Sequence, residues 1–204
     1  MVLDCALSQE IYSDISFLTN DTSINTIANF IVYQECDFNL ENLIHFYKKF
    51  DEVIVAIGNN NVRLNKSNYL LENGIKLATL IHSHALVSRF SKIEDGTVIF
   101  ANAVINPFSN IGRACIINTG VVVEHDCKIE DGVHISPNAS IAGTVSIGEK
   151  SWVCVGGVIS NNINVGSNSV VGAGGVVVDD VPSNVLVAGV PAKIKKYYHI
   201  ENTT

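Results

Sequence analysis

The sequence predicts a mixed fold in two parts, a small N-terminal α/β unit over residues 1–80 followed by a parallel β-helix over residues 81–204. Three observations carry the prediction. Up to about Leu80, segments with helical spacing alternate with short apolar runs. From about Ile81 the grammar changes to a six-residue repeat, and all fifteen positions taken every sixth residue from Ile93 to Val177 are Ile or Val. Three residues after most of them stands Gly, Asn or Asp, the residues that best tolerate positive φ.

In the first part, "VLDCALSQ" and "LENLIHFYKKF" have the spacing of amphipathic helices, and "DEVIVAIG" is a short apolar run expected to be a strand ending at Gly58. "NVRLNKSNYLLENG" is expected to be a helix stopped by Gly74. Such alternation suggests an α/β unit with a parallel sheet.

In the second part, period six fits neither a helix nor an ordinary alternating strand; it is the signature of a parallel β-helix. If each hexad supplies one short strand and one corner, three hexads close a triangular coil of 18 residues. Branched side chains then stack at intervals of 18, with Ile93, Ile111, Ile129, Ile147 and Val165 in one column and Ile99, Ile117, Ile135, Val153 and Val171 in the next. Fifteen hexads make five coils, a prism about 24 Å tall at the usual strand spacing. The corner positions Gly96, Asn102, Gly120, Asp126, Gly132, Asn138, Gly156, Asn162, Asn168, Gly174 and Asp180 are expected in the left-handed region. The position four after each branched residue is mostly small and includes Cys115 and Cys127, which are expected to be packed and unreactive.

Composition narrows the function classes. Of 204 residues, 47% are hydrophobic and 16% charged, yet no apolar run approaches the roughly 18 residues of a membrane helix. Asp4 and Glu10 interrupt the first ten residues, which therefore do not read as a secretory leader, and a cytoplasmic protein is expected. Five cysteines without a C-x-x-C pair indicate reduced thiols rather than disulfides or a zinc knuckle. A net charge of −7 argues against nucleic acid as the main partner.

The densest chemistry lies in "VVVEHDCKIEDGVHIS", where Glu124, His125 and Asp126 are followed by His134. A corner imidazole beside a carboxylate suits a general base. Residue 143 is one 18-residue coil from His125, and Gly143 would leave an N–H free to face a developing oxyanion. Above it, "VGSNSVVGAGGVVV" carries little bulk, so Gly172 and Ala173 could line a groove for a long ligand, with Lys193, Lys195 and Lys196 placed to meet anionic groups on it. In the first part, Gly58, Asn59, Asn60 and Arg63 follow an apolar run as ligand-binding turns of α/β sheets do, and are expected to contact a nucleotide base or pyrophosphate.

The unbroken repeat resembles the left-handed β-helix of hexapeptide acyltransferases. With "IVAIGNNNVR", "INTGVVVEHDCKI" and the ending "VAGVPAKIKK", nearly the whole chain is similar to bacterial sugar acetyltransferases of the sialic-acid O-acetyltransferase and nucleotide-aminosugar N-acetyltransferase type. The resemblance implies His125 as general base, Asp126 as the acid that orients it, His134 near the thioester of acetyl-CoA, and Gly143 as the N–H donor one coil above the base. Asn118 and Glu124 are expected on the substrate side, no metal is expected, and a homotrimer is expected. Members of that family ordinarily begin with a β-strand and a Gly-rich loop ahead of the V-L-D helix. This chain begins at "MVLDCAL", so the first strand of a Rossmann-like unit is expected to be missing.

The resemblance favours N-acetylation of an aminosugar, nucleotide-linked, by acetyl-CoA. Three other readings stay open at this point: a sugar hydroxyl as acceptor, a zinc hydrase of the β-helical carbonic anhydrase type, and a non-catalytic trimeric scaffold. His82, His84, His125 and His134 do not share a coil register, which weighs against the hydrase. Lying half a coil apart, His125 and His134 would point away from each other in one chain and could meet only between subunits.

Overall fold

Successive hexads pair at intervals of 18 residues, as the repeat requires, in a computed structural model that describes residues 1–198. Residues 199–204 of the C-terminal tail lie outside the described residues. Strands of two residues stack in parallel into three faces. The first face runs from Leu80–Ile81 through Val98–Ile99, Ile116–Ile117, His134–Ile135, Trp152–Val153 and Val170–Val171 to Val185–Ala188. Lys193–Tyr197 closes it as an antiparallel edge. The second face runs from Leu86–Val87 to Val176–Val177, and the third from Lys92–Ile93 to Asn164–Val165. The prism is a left-handed β-helix, and its first coil starts at Ile81 and Val87, ahead of the first Ile used in the repeat count.

The second residue of each two-residue strand points inward. From Ile99 to Val177 every branched position is at most 3% exposed. Burial of each such side chain contributes about 1.5–3 kcal/mol, which is what holds strands this short in register. Ile93 is only partly buried because its strand ends the third face and no coil lies beneath it.

Positive φ occurs at every sixth residue from Gly96 to Gly174. The corners therefore impose it even on Phe108, Ala114, Thr144 and Lys150, which the residue-type rule does not single out. Asp180, expected among them, is not in this region; its carboxylate instead accepts the Asn164 backbone N–H at 2.7 Å. The small inward position has a consistent role. The Thr97 and Ser109 hydroxyls each donate to a carbonyl fifteen residues ahead, at 2.7 and 2.6 Å, and accept the N–H eighteen ahead. The thiols of Cys115 and Cys127 donate to the equivalent carbonyls, of Glu130 and Ala142. Burial pushes both thiols up, away from the reactive thiolate.

The N-terminal unit contains α1 (Val2–Ser8), α2 (Leu40–Tyr47) and α3 (Asn60–Glu72), near the expected positions. Its sheet differs from expectation. β1 (Ser16–Thr19) and β3 (Phe30–Gln34) pair in parallel, with β2 (Thr26–Ile27) antiparallel on β3's other side, all in a stretch whose pattern did not announce strands. The apolar run 51–58, expected to be a strand, makes only an isolated bridge between Val53 and Leu77. An apolar run becomes a strand only where a neighbour supplies the ladder, and here only Lys76 and Ala78 exchange backbone hydrogen bonds with Val53. Leu43, Phe46, Tyr47, Val55 and Leu70 form this unit's core, while Cys5 and Ala6 of α1 pack against Leu80, Val98 and Phe100 of the first face.

Candidate active site

His125 stands on the corner between the second and third faces, two residues after the strand Val122–Val123. Its Nδ1 lies 2.8 Å from Asp126 Oδ2, with both side chains more than half exposed. With Nδ1–H given to the carboxylate, Nε2 keeps its lone pair. Above, a Cβ built on Gly143 would lie 2.7 Å from His125 Nε2. The imidazole therefore occupies the space that any side chain at 143 would fill. Among the described residues the Gly143 N–H makes no backbone hydrogen bond, whereas the N–H of Thr144 donates to the His125 carbonyl at 2.9 Å. Glu124, half-buried, precedes the imidazole, and its carbonyl accepts from Ser109 Oγ.

His134 and Asn118 come together elsewhere, on the first face, with Asn118 Nδ2 3.4 Å from His134 Nε2. Sequence reasoning missed the third member. Trp152 lies one coil above and stacks on the His134 ring, centroids 5.7 Å apart and planes 9° from parallel, while its Nε1 donates to Ser136 Oγ at 2.7 Å. The signal was available, since 134 plus 18 is 152 and an exposed Trp in a β-helix strand is unusual. Burial, and then the nearby Arg63 cation, pull the His134 imidazole down to about 4, so it is neutral at pH 7. Within one chain His125 and His134 belong to different faces. Two surface hollows of the single chain lie on the third face, one lined in part by Lys128, Ser146 and Asn164, and neither of these two includes either histidine.

Of the four N-terminal residues expected to contact a nucleotide, Arg63 and Asn60 are committed elsewhere. Arg63 is 1% exposed, and its guanidinium donates to the carbonyls of Ala114, Gly132, Ile57 and Gly58 and to Asn60 Oδ1. It is a buried clamp joining α3 to the prism and has no donor left to present to a pyrophosphate. Burial lowers it to about 10, still charged at neutral pH. Asn60 is likewise engaged, its Nδ2 donating to the carbonyls of Lys150 and Ser151 at 2.9 and 3.2 Å. Asn59 caps α3 by accepting the Val62 N–H at 3.1 Å, while Gly58, whose carbonyl accepts from Arg63, has open space beside its Cα. The turn sits at the corner from which the His134 strand starts.

In the upper coils, Gly172 is required by packing, because a Cβ there would meet the Ala188 Cβ at 2.9 Å. Ala173 is exposed beside it. Lys193 is exposed and 3.3 Å from Asp179, a surface pair that a phosphate can replace. Among the described residues no three His, Cys, Asp or Glu side chains converge as metal ligands, and no helix is long and apolar enough to cross a membrane.

Known proteins resemble this chain over most of its length. Residues 108–143 match the family described as bacterial transferase hexapeptide (six repeats), and residues 1–70 match the PglD N-terminal domain. The acetyltransferase domain of PglB from Neisseria gonorrhoeae, solved with acetyl coenzyme A, is 33% identical with a TM-score of 0.87, over 95% of this chain and 92% of that one. PerB from Caulobacter crescentus, solved with CoA and GDP-perosamine, is 31% identical with a TM-score of 0.78, over 90% of this chain and 98% of that one. A mutant of the perosamine N-acetyltransferase from the same organism, with one histidine replaced by asparagine, is 29% identical with a TM-score of 0.82, over 90% and 97%.

Proposed function

Because the chain belongs to the bacterial hexapeptide-repeat sugar acetyltransferases, we propose that it transfers the acetyl group of acetyl-CoA to the amine of a nucleotide-linked aminosugar, with His125 as general base. The observation that carries this reading is the placement of the His125 imidazole, tied at Nδ1 to Asp126 and with Nε2 over Gly143. The acceptor amine attacks the thioester carbon, and Nε2 takes the proton that the amine loses. Charge on the carbonyl oxygen is met by the free N–H of Gly143. As the tetrahedral species collapses, the C–S bond breaks and the proton on Nε2 is available to the departing thiolate. Asp126 holds the tautomer and stabilises the imidazolium between these steps. The CoA and GDP-perosamine bound together in PerB support a sugar nucleotide as acceptor here. Gly172, Ala173 and Lys193 would receive the CoA arm, in a cytoplasmic enzyme where acetyl-CoA is supplied.

The active unit in this reading is a homotrimer. Above the part of the first face that α1 covers, its outward residues are His134, Trp152 and Val170, and those of the second face include Val104, Val122, Val158 and Val176 with Ser140 among them. Those of the third are Lys92, Asn110, Lys128, Ser146 and Asn164. Two apolar faces and one polar face suit a three-fold packing in which the first face of one chain covers the second face of the next. That packing would bring the His125 corner of one chain beside the His134, Asn118 and Gly58 region of its neighbour. A panel of 4-amino and 4-hydroxy sugar nucleotides, followed by release of free CoA thiol, tests the function. Thiol release with amines and an alkali-stable product is expected. An alkali-labile ester, or no turnover with any acceptor, would overturn the N-acetyl assignment.

A further inference from the structure

Directly below the candidate base, the same corner carries an exposed pair of aromatic rings that the proposed chemistry leaves without a task. The Asp126 N–H donates to the Pro107 carbonyl at 3.1 Å, which places Pro107 and Phe108 one coil beneath His125 and Asp126. Phe108 is 60% exposed and Phe90, a further coil down, is 56% exposed. Their centroids are 5.7 Å apart at 31°. The Arg89 guanidinium lies 5.0 Å over the Phe90 ring. Arg63 is buried and Arg113 is bound to Asp131 at 2.6 Å, so Arg89 is the arginine held at an aromatic surface beside the site.

Two features separate this pair from ordinary surface residues. Phe108 has φ of 66°, a conformation that Asn102, Asn138 and Asn162 supply at comparable corners with less steric strain, yet here it carries a bulky ring into solvent. Moreover, neither ring is on the apolar first or second face; both sit on the corner that leads down from His125.

We propose that Phe108, Phe90 and Arg89 form the acceptor platform, on which a sugar nucleotide lies with the apolar side of its sugar ring against Phe108 and its diphosphate toward Arg89. This rests on the acetyltransferase reading. Coils are about 5 Å apart, so a ring on Phe108 sits about one sugar's width below the base, and a diphosphate attached to the far side of that ring reaches the level of Arg89. The aromatic faces give the hold, the cation favours the anionic linkage in a chain of net charge −7, and the pair sets the direction from which the amine approaches.

The test is equilibrium binding and steady-state kinetics with GDP-perosamine and a UDP-linked 4-amino sugar, using Phe108→Asn, Phe108→Tyr and Arg89→Ala. Phe108→Asn is expected to weaken acceptor binding and raise acceptor KM about 10-fold, leaving the KM for acetyl-CoA within about twofold. Its melting temperature should stay level or rise, because Asn suits the positive φ. Phe108→Tyr should retain parental affinity, and Arg89→Ala should remove much of the salt dependence of acceptor binding. Unchanged acceptor affinity in Phe108→Asn would overturn the platform. So would dissociation of that variant into monomers, which would make the pair a contact between copies of the chain. A parent that binds these acceptors through Phe108 but transfers no acetyl group overturns the catalytic reading and leaves the platform standing. A parent that binds neither acceptor overturns both.

Discussion

Replacing Gly143 with Ala isolates the packing of the His125 imidazole from the chemistry proposed for it. The backbone at 143 is not in the positive-φ region, so alanine meets no conformational barrier there. Its methyl would lie 2.7 Å from Nε2 and 2.8 Å from Cε1 of His125, against about 3.5–4.0 Å for a comfortable contact. The imidazole must therefore move by about 1 Å, stretching its 2.8 Å hydrogen bond to Asp126. A misplacement of that size costs about 10²-fold in rate. We expect kcat, followed by thiol release from acetyl-CoA, to fall about 10²-fold, toward the floor set by His125→Ala, for which a loss of about 10²- to 10⁴-fold is expected. Melting temperature should hold or rise slightly, since Ala lowers the entropy of the unfolded chain. Parental kcat in Gly143→Ala, with the parent's assembly state unchanged, would refute the argument that the glycine exists to admit the imidazole.

Three further outcomes are expected. Co-assembling inactive His125→Ala chains with inactive His134→Ala chains should recover part of the activity; a parental monomer of full activity would exclude shared sites. Arg63→Met should destabilise the fold by at least about 3 kcal/mol in urea titrations, because several buried carbonyls lose their donor, and a change below about 1 kcal/mol would remove the clamp role. His134, ordinarily near 6.5 and held at about 4 in the fold, takes up its proton more readily when unfolded. The stability it supports is therefore present above about pH 6.5 and lost as pH falls toward 4. His134→Asn should show a shallower loss of urea resistance between pH 7 and pH 5 than the parent.

What could be read without the fold follows from repetition. Through the regular coils residue i stacks on i+18, so the sequence alone determined the inward columns, most of the corner conformations, the packing of Cys115 and Cys127, and the relation of Gly143 to His125; the last coil is shorter, with Val170 on Leu186 and Val165 beside Val181. The Asp126 contact was equally legible, because it joins adjacent residues. The N-terminal unit lacks that periodicity. The run 51–58 has the composition of a strand, but only a neighbouring chain segment can make it one, and the partners that decided the matter are remote in sequence. Arg63 shows the same limit. Written beside Gly58 and Asn59 it reads as a phosphate ligand, but the fold turns its guanidinium onto the carbonyls of Ala114 and Gly132, 51 and 69 residues away. Burial, and the direction in which a side chain points, are set by contacts that close only when α3 docks on the prism. Charge and hydrogen-bonding capacity are properties of the residue, but whether they face a ligand or the interior is decided by the tertiary structure.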